Sequence, residues 1–138
     1  MYVGKAECSY WKNELLKIST LYGYDFDRTV FRTVNDKYEP FDSVLLFKAY
    51  GIDEVVSLDY SAYEGADILF DLNDELLLEL YGKYELVLNG GTLEHIFDIA
   101  KAMDNMNKLV KEGGTIVYIS PCAGWINHGF YSISPTFY

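Results

Sequence analysis

The sequence predicts an α/β fold: a doubly wound, mainly parallel sheet of about five strands. Short apolar runs alternate with amphipathic stretches after residue 51, the pattern of strands that are buried on both faces and covered by helices. Half of the 138 residues are hydrophobic, which is enough to build a core in a chain of this length. No repeat or low-complexity linker divides the chain, so residues 1–138 are expected to form a single domain.

Residues 1–50 are predicted to hold two helices and the first strand. Apolar residues at helical spacing indicate a helix over Tyr10–Leu21. A β-branched and aromatic run, Thr29–Val34, is the candidate for the first strand. Pro40 can open a second helix, because proline is tolerated in the first turn, and Gly51 closes it.

Four more strands are predicted in residues 51–138. Each is an apolar run that ends in polar or turn residues: Val55–Asp59, Asp67–Leu72, Tyr84–Leu88 and Thr115–Ser120. A short helix is expected over Asp74–Tyr81. A longer amphipathic helix is expected over Leu93–Val110, since its apolar residues share one side.

The composition excludes several classes of partner. Eleven Lys and Arg residues against 21 Asp and Glu residues give a formal net charge of -10. Such a chain repels phosphate backbones and anionic membrane surfaces, so neither a nucleic acid nor a membrane is predicted as a partner. Cys8 and Cys122 form no disulfide framework and no metal-binding spacing. We therefore expect reduced thiols, a cytoplasmic location and no metal site.

Polar residues cluster where the predicted strands end, which is where ligands bind to parallel sheets. Asp59 ends Val55–Asp59, where an acid can accept hydrogen bonds from a ribose diol; the alternative is that it caps the following turn. Asp71 and Asn73 stand at the end of the next strand. They are placed to meet an adenine edge or, alternatively, only to open a turn.

The segment after Tyr84–Leu88 has the same character. It contains Asn89, Gly90 and Gly91, and the two glycines let the backbone approach a ligand closely or merely turn into the next helix. Glu94 and His95 follow at the predicted helix start. A carboxylate is favoured there by the helix dipole, and a neutral imidazole there is able to accept a proton.

Taken together, these segments resemble a family of class I S-adenosylmethionine-dependent methyltransferases. The family motifs DxSxYEGA, DLN, GGTLEH, GG and HGFYxxSP match, in the same order, Asp59–Ala66, Asp71–Asn73, Gly90–His95, Gly113–Gly114 and His128–Pro135. The resemblance covers about residues 51–138, nearly two thirds of the chain. It implies a Rossmann-like methyltransferase fold that lacks the last two strands of the full class I sheet.

The resemblance also implies roles for individual residues. The cofactor would be S-adenosylmethionine, and the methyl acceptor a small-molecule or sugar-like hydroxyl. The cofactor-binding residues would be Asp59, Tyr60, Asp71, Leu72, Asn73, Asn89, Gly90 and Gly91. The catalytic residues would be His95 as the first choice of proton acceptor, His128 as the second, and Glu94 beside them. His128 and Tyr131 would cover the acceptor pocket. The alternative for either histidine is a structural role.

Two features depart from the family pattern. The segment Asn35–Pro40, expected to follow the first strand, contains no glycine, whereas the family loop is rich in glycine. The chain ends at Tyr138, before two further strands, which leaves a sheet edge open and predicts a homodimer, a larger assembly or a chain that continues. The alternative function is a catalytically degenerate methyltransferase-like module that serves as a binding or assembly partner. A nicotinamide-dependent dehydrogenase is disfavoured because the sequence has no GxGxxG.

Overall fold

The computed structural model describes residues 2–3, 21, 47–48 and 50–138. The chain forms two compact units, one of residues 1–4 and 56–138 and the other of residues 5–55. The predicted strand Thr29–Val34 and the segment Asn35–Pro40 lie outside the described residues. So does the predicted helix Tyr10–Leu21, apart from Leu21, which is helical.

The unit of residues 5–55 shows how the second predicted helix ends. Phe47 and Lys48 are helical, and the N–H of Gly51 donates to the carbonyl oxygen of Lys48 at 2.9 Å. Gly51 has a φ of 79°, the left-handed conformation in which glycine ends a helix without a steric penalty. The prediction that this helix closes at Gly51 is confirmed.

The other unit contains parallel strands. Their bounds are β1 Tyr2–Val3, β2 Leu58–Asp59, β3 Ile68–Leu69, β4 Tyr84–Gly90 and β5 Val110–Ile119. β1, β4 and β5 form one sheet with β4 in the centre, and β2 pairs with β3 in a second. Every pairing is parallel, which requires crossover connections such as the helix between β4 and β5. β1 also lies beside β2, within 8 Å by Cα distance.

One strand that pairs with β4, β1, was not predicted. Tyr2 pairs with Leu88 and Val3 with Asn89, although no sequence pattern indicates a strand there. Two residues are too few for a periodic pattern to indicate a strand. The residue that follows β1 in the sequence is Gly4, so Asn35–Pro40 does not directly follow the strand that pairs with β4.

β2 and β3 are shorter than the predicted runs Val55–Asp59 and Asp67–Leu72. At the start of this pair, the carboxylate of Asp67 accepts from the N–H of Ser57 at 2.8 Å and from its hydroxyl at 2.7 Å. These bonds lower the pKa of Asp67, the main-chain bond from Ser57 contributing most. The N–H of Ser57 is thus bonded to a side chain and not to the backbone of the neighbouring strand. The paired residues are Leu58–Asp59 and Ile68–Leu69.

The long helix is also shorter than predicted. It runs over Ile99–Leu109, here called α1, and the carboxylate of Asp98 accepts from the N–H of Lys101 at 3.0 Å, which caps its start. Leu93–His95 is a separate 3₁₀ turn. The prediction of one helix over Leu93–Val110 is therefore wrong, and His95 lies outside the first turn of α1.

The predicted helix Asp74–Tyr81 is wrong in extent as well. Only Leu78–Leu80 is helical, as a single 3₁₀ turn. Glu75, at the start of this segment, instead reaches α1, where its carboxylate pairs with Lys101 and with Lys108. These ion pairs link the segment to α1.

The core lies between α1 and the strands. α1 packs against β4 and β5 and buries Ala102, Met106 and Leu109. The other buried hydrophobic residues come from the strands and their connections: Leu58, Leu72, Leu76, Leu80, Val87, Leu93, Ile96 and Ile133. Among the described residues, no helix is long and apolar enough to cross a membrane.

Candidate functional site

A cavity of about 470 Å³ lies at the carboxyl ends of β2 and β3. Its size is in the range of small-ligand sites, and its place is where parallel sheets bind ligands. Predicted site residues among its lining are Asp59, Tyr60, Asp71, Leu72, Asn73, Gly91 and His95. Leu58, Phe70, Thr92 and Ile96 complete the lining. The cavity thus has apolar walls with polar groups at the strand ends.

Asp59 uses one carboxylate oxygen within the chain. Its Oδ1 accepts from the N–H of Ser61 at 2.8 Å, which caps the turn after β2. Its Oδ2 accepts no hydrogen bond from the described residues. The turn-capping alternative and a ligand-binding role are therefore compatible, because each uses a different oxygen.

Asp71 and Asn73 form a closed turn. The main-chain and side-chain N–H groups of Asn73 both donate to Oδ1 of Asp71, at 2.9 and 2.7 Å. The side-chain oxygen of Asn73 in turn accepts from the N–H of Asp98 at 3.0 Å. The alternative that these residues open a turn is therefore confirmed. The hydrogen bonds of this turn fix both residues at the cavity wall.

Asn89 and Gly90 lie outside the cavity lining. Both belong to β4, where they pair with Tyr118 and Ile119 of β5. Asn89 is fully buried, and its side-chain oxygen accepts from the N–H groups of Thr92 and Leu93 at 3.3 and 3.2 Å. The geometry makes Asn89 a positioning residue for the 3₁₀ turn that carries Glu94.

The three predicted catalytic residues come together. His128 Nε2 lies 3.5 Å and His95 Nε2 lies 4.0 Å from Oε1 of Glu94, and the two imidazole rings are 4.8 Å apart. The Glu94 side chain is only 1% exposed, and neither of its oxygens has a hydrogen-bond partner among the described residues. His95 belongs both to this cluster and to the cavity lining, so the cluster stands at one edge of the cavity.

Tyr131 and His128 are not among the cavity-lining residues. The hydroxyl of Tyr131 donates to the carbonyl oxygen of Phe97 at 2.7 Å. The imidazole of His128 packs edge-on against Trp125, with ring centroids 4.9 Å apart. His128 thus joins the Glu94 cluster, while Tyr131 fastens its segment to the chain after the 3₁₀ turn.

Sequence reasoning missed Asn105, which supports the cavity wall from behind. It is fully buried on the inner face of α1, and its Nδ2 donates to the carbonyl oxygens of Leu72 at 3.0 Å and Asp74 at 2.8 Å. The signal was present in the sequence: an amide occupies a position of the apolar helix face, between Ala102 and Leu109. A buried amide in a helix needs partners, and here they are the carbonyl groups of the cavity segment.

Comparison with known proteins gives no match. No protein-family model matches the chain, nor does any curated protein or solved structure. A functional assignment therefore depends on the residues of the cavity and of the adjoining cluster.

Proposed function

We propose that this chain is an S-adenosylmethionine-dependent methyltransferase of doubly wound α/β fold, acting on a small-molecule or sugar-like hydroxyl in the cytoplasm. The observation that carries the proposal is the strand-end cavity. It gathers Asp59, Asp71, Gly91 and His95 from three connections that are distant in the sequence. β1 pairs with β4 and lies within 8 Å of β2 by Cα distance, which supports the strand order β3, β2, β1, β4, β5 as part of the proposal. That order is typical of dinucleotide-binding sheets.

The cavity offers complementary groups to a nucleoside. The Oδ2 of Asp59, which accepts no hydrogen bond from any described residue, is available to the ribose hydroxyls at the end of β2. Asp71–Asn73 presents a carboxylate and main-chain groups to an adenine edge, and Phe70 and Ile96 supply apolar surface for its ring. The net charge of -10 favours a cationic sulfonium cofactor over a neutral one.

Methyl transfer requires few further groups from the protein. S-adenosylmethionine supplies an activated methyl group, so positioning of the acceptor and uptake of its hydroxyl proton largely suffice. His95 lines the cavity and carries an imidazole able to take that proton. Oε1 of Glu94 lies 4.0 Å from Nε2 of His95 and 3.5 Å from Nε2 of His128.

The exposed aromatic residues favour the second candidate, a degenerate methyltransferase-like module for assembly. Trp125 is 60% exposed and Phe130 is 67% exposed, and both lie in the connection after β5. In the described part of the chain β5 is also an edge strand, with Val117 and Ile119 exposed. An apolar edge of this kind is suited to pairing with a second copy or another chain.

Calorimetric titration of the chain with S-adenosylmethionine distinguishes the two candidates. The methyltransferase proposal expects one binding site per chain, weakened roughly 10- to 100-fold in Asp59→Ala by loss of a charge-assisted hydrogen bond. Asp74→Ala is the matched control, because Asp74 is exposed, nearby and absent from the cavity lining. Lack of binding at millimolar cofactor would leave only the assembly module.

A further inference from the structure

We propose that Glu94, His95 and His128 bind a divalent transition metal ion of the zinc and iron class. The proposal does not depend on cofactor binding in the cavity, and His95 can act as the proton acceptor only in the metal-free chain, because an imidazole that binds the ion cannot also take a proton. The three residues each offer a ligand atom, and these atoms all lie within 4.8 Å of one another. They come from two segments that are more than thirty residues apart, so the fold brings them together.

The ligand set selects the class of metal. Two imidazoles with one carboxylate are the donors found in catalytic zinc sites and in non-haem iron sites, both of which keep positions open for a further ligand. Mg²⁺ and Ca²⁺ prefer sites made of oxygen donors. The site is therefore expected to discriminate against the abundant hard cations, although the chain as a whole is acidic.

The distances are close to those that a metal requires. Nitrogen and oxygen ligands at about 2.0–2.2 Å from a tetrahedral zinc ion are roughly 3.3–3.6 Å from one another. The Nε2 of His128 is 3.5 Å from Oε1 of Glu94, within that range. The Nε2 of His95 is at 4.0 Å, so small side-chain rotations bring it to a ligating position.

The buried carboxylate is the second, independent observation. The Glu94 side chain is 1% exposed, and in the part of the chain that the structure describes both of its oxygens lack a hydrogen-bond partner. Burying a carboxylate without partners is costly unless a positive charge or a metal compensates it. His128 Nε2 lies 3.5 Å from Oε1 of Glu94 but does not form a hydrogen bond with it. A metal ion bound by the three groups would compensate the charge of the buried carboxylate directly.

The backbone holds the ligands in place without a metal. The carbonyl oxygen of Glu94 accepts from the N–H groups of Phe130 and Tyr131, which anchors the His128 segment to the 3₁₀ turn. A Cβ on Gly91 would come to 3.3 Å from Oε1 of Glu94, so the chain closes tightly around the carboxylate. Such support of a ligand by its surroundings is what a metal site needs.

The test uses the full chain, from which bound metals are removed with a chelator. The chain is then dialysed against Zn²⁺ in the presence of an excess of Mg²⁺ of about 100:1. The chain has only two histidines, and both belong to the site. We expect one Zn²⁺ per chain, with affinity reduced roughly 100-fold or more in His95→Ala and in His128→Ala. A variant with both cysteines changed to serine should bind Zn²⁺ as the wild type does.

Two results would overturn the proposal. One is Zn²⁺ binding that does not depend on the site, seen either as unchanged affinity in both histidine variants or as binding that Mg²⁺ abolishes. Either observation would mean diffuse attraction of Zn²⁺ to the acidic surface. The other is a histidine nitrogen NMR spectrum of the wild-type chain in which Zn²⁺ leaves one or both imidazoles unshifted. The spectrum decides the matter even where a variant fails to fold, and a histidine–glutamate ion pair alone predicts no shift.

Discussion

The main-chain N–H of Phe130 donates a 2.7 Å hydrogen bond to the carbonyl oxygen of Glu94. The N–H of Tyr131 donates to the same oxygen at 3.2 Å. One carbonyl group thus joins the connection after β5 to the 3₁₀ turn after β4. Because His128 belongs to the first segment and Glu94 and His95 belong to the second, this junction brings the imidazole of His128 close to the other two side chains.

Gly129→Ala should loosen that junction. A Cβ at position 129 would lie 2.5 Å from the carbonyl oxygen of Glu94 and 3.0 Å from its carbonyl carbon. The neighbour is backbone rather than a flexible side chain, so we expect the free energy of unfolding to fall by about 1–3 kcal/mol. Urea denaturation measures it. Ser132→Ala, at an exposed position of the same segment, is the control, and equal stability of the two variants would contradict the close contact.

Asn105→Ala should weaken both the fold and the cavity wall. The change leaves the carbonyl oxygens of Leu72 and Asp74 without their buried donor, at a cost of about 1–3 kcal/mol in the free energy of unfolding. Asn107→Ala is the matched control, since Asn107 is exposed on the same helix and should change stability by about 0.5 kcal/mol or less. Thermal and urea denaturation compare them, and similar losses in both variants would speak against the described bonds.

Glu75 should contribute stability that disappears in acid. Hydrogen bonds from Lys101 and then Lys108 lower the pKa of Glu75 from 4.5 to about 2. A carboxylate with a lower pKa in the folded chain than in the unfolded chain stabilises the fold above the unfolded pKa. That contribution is lost as the pH falls from about 4.5 towards 2.

The measurement is urea denaturation of the wild type and of Glu75→Gln across that pH range. The wild type should be the more stable near neutral pH, and the difference should shrink as the pH falls towards 2. Glu79→Gln is the control, because Glu79 is exposed and makes no ion pair within the described residues. A stability difference for Glu75→Gln that does not change with pH would show that the ion pairs to α1 contribute nothing.

The sequence predicted the positions of the polar site residues better than the bounds of the strands. Asp59 ends β2 as predicted, and Asp71, Asn73 and His95 do reach one cavity. The reason is that turn chemistry and the loss of apolar character mark the point where a strand ends. The predicted strand bounds are wrong where a distant side chain replaces a backbone partner. One example is the carboxylate of Asp67, which accepts a hydrogen bond from the N–H of Ser57.

The elements that the sequence missed depend on partners far along the chain. β1 is two residues long, and only its pairing with β4 makes it a strand. The start of α1 is set by the cap that Asp98 supplies, so the amphipathic pattern that begins at Leu93 overstates the helix. The cluster of Glu94 with His128 could not be foreseen from spacing, because one main-chain junction brings the two segments together.

Amide NMR that locates the site of S-adenosylmethionine on the chain tests the proposed methyltransferase most directly. If the cavity binds the cofactor, we expect saturable shifts at the cavity-lining residues Asp59, Tyr60, Asp71, Leu72, Asn73 and Gly91, with smaller or no shifts at exposed positions of α1 such as Asn107. S-adenosylhomocysteine should shift the same amides, since it shares the nucleoside. Shifts confined to other parts of the chain, or none at millimolar cofactor, would contradict the proposal.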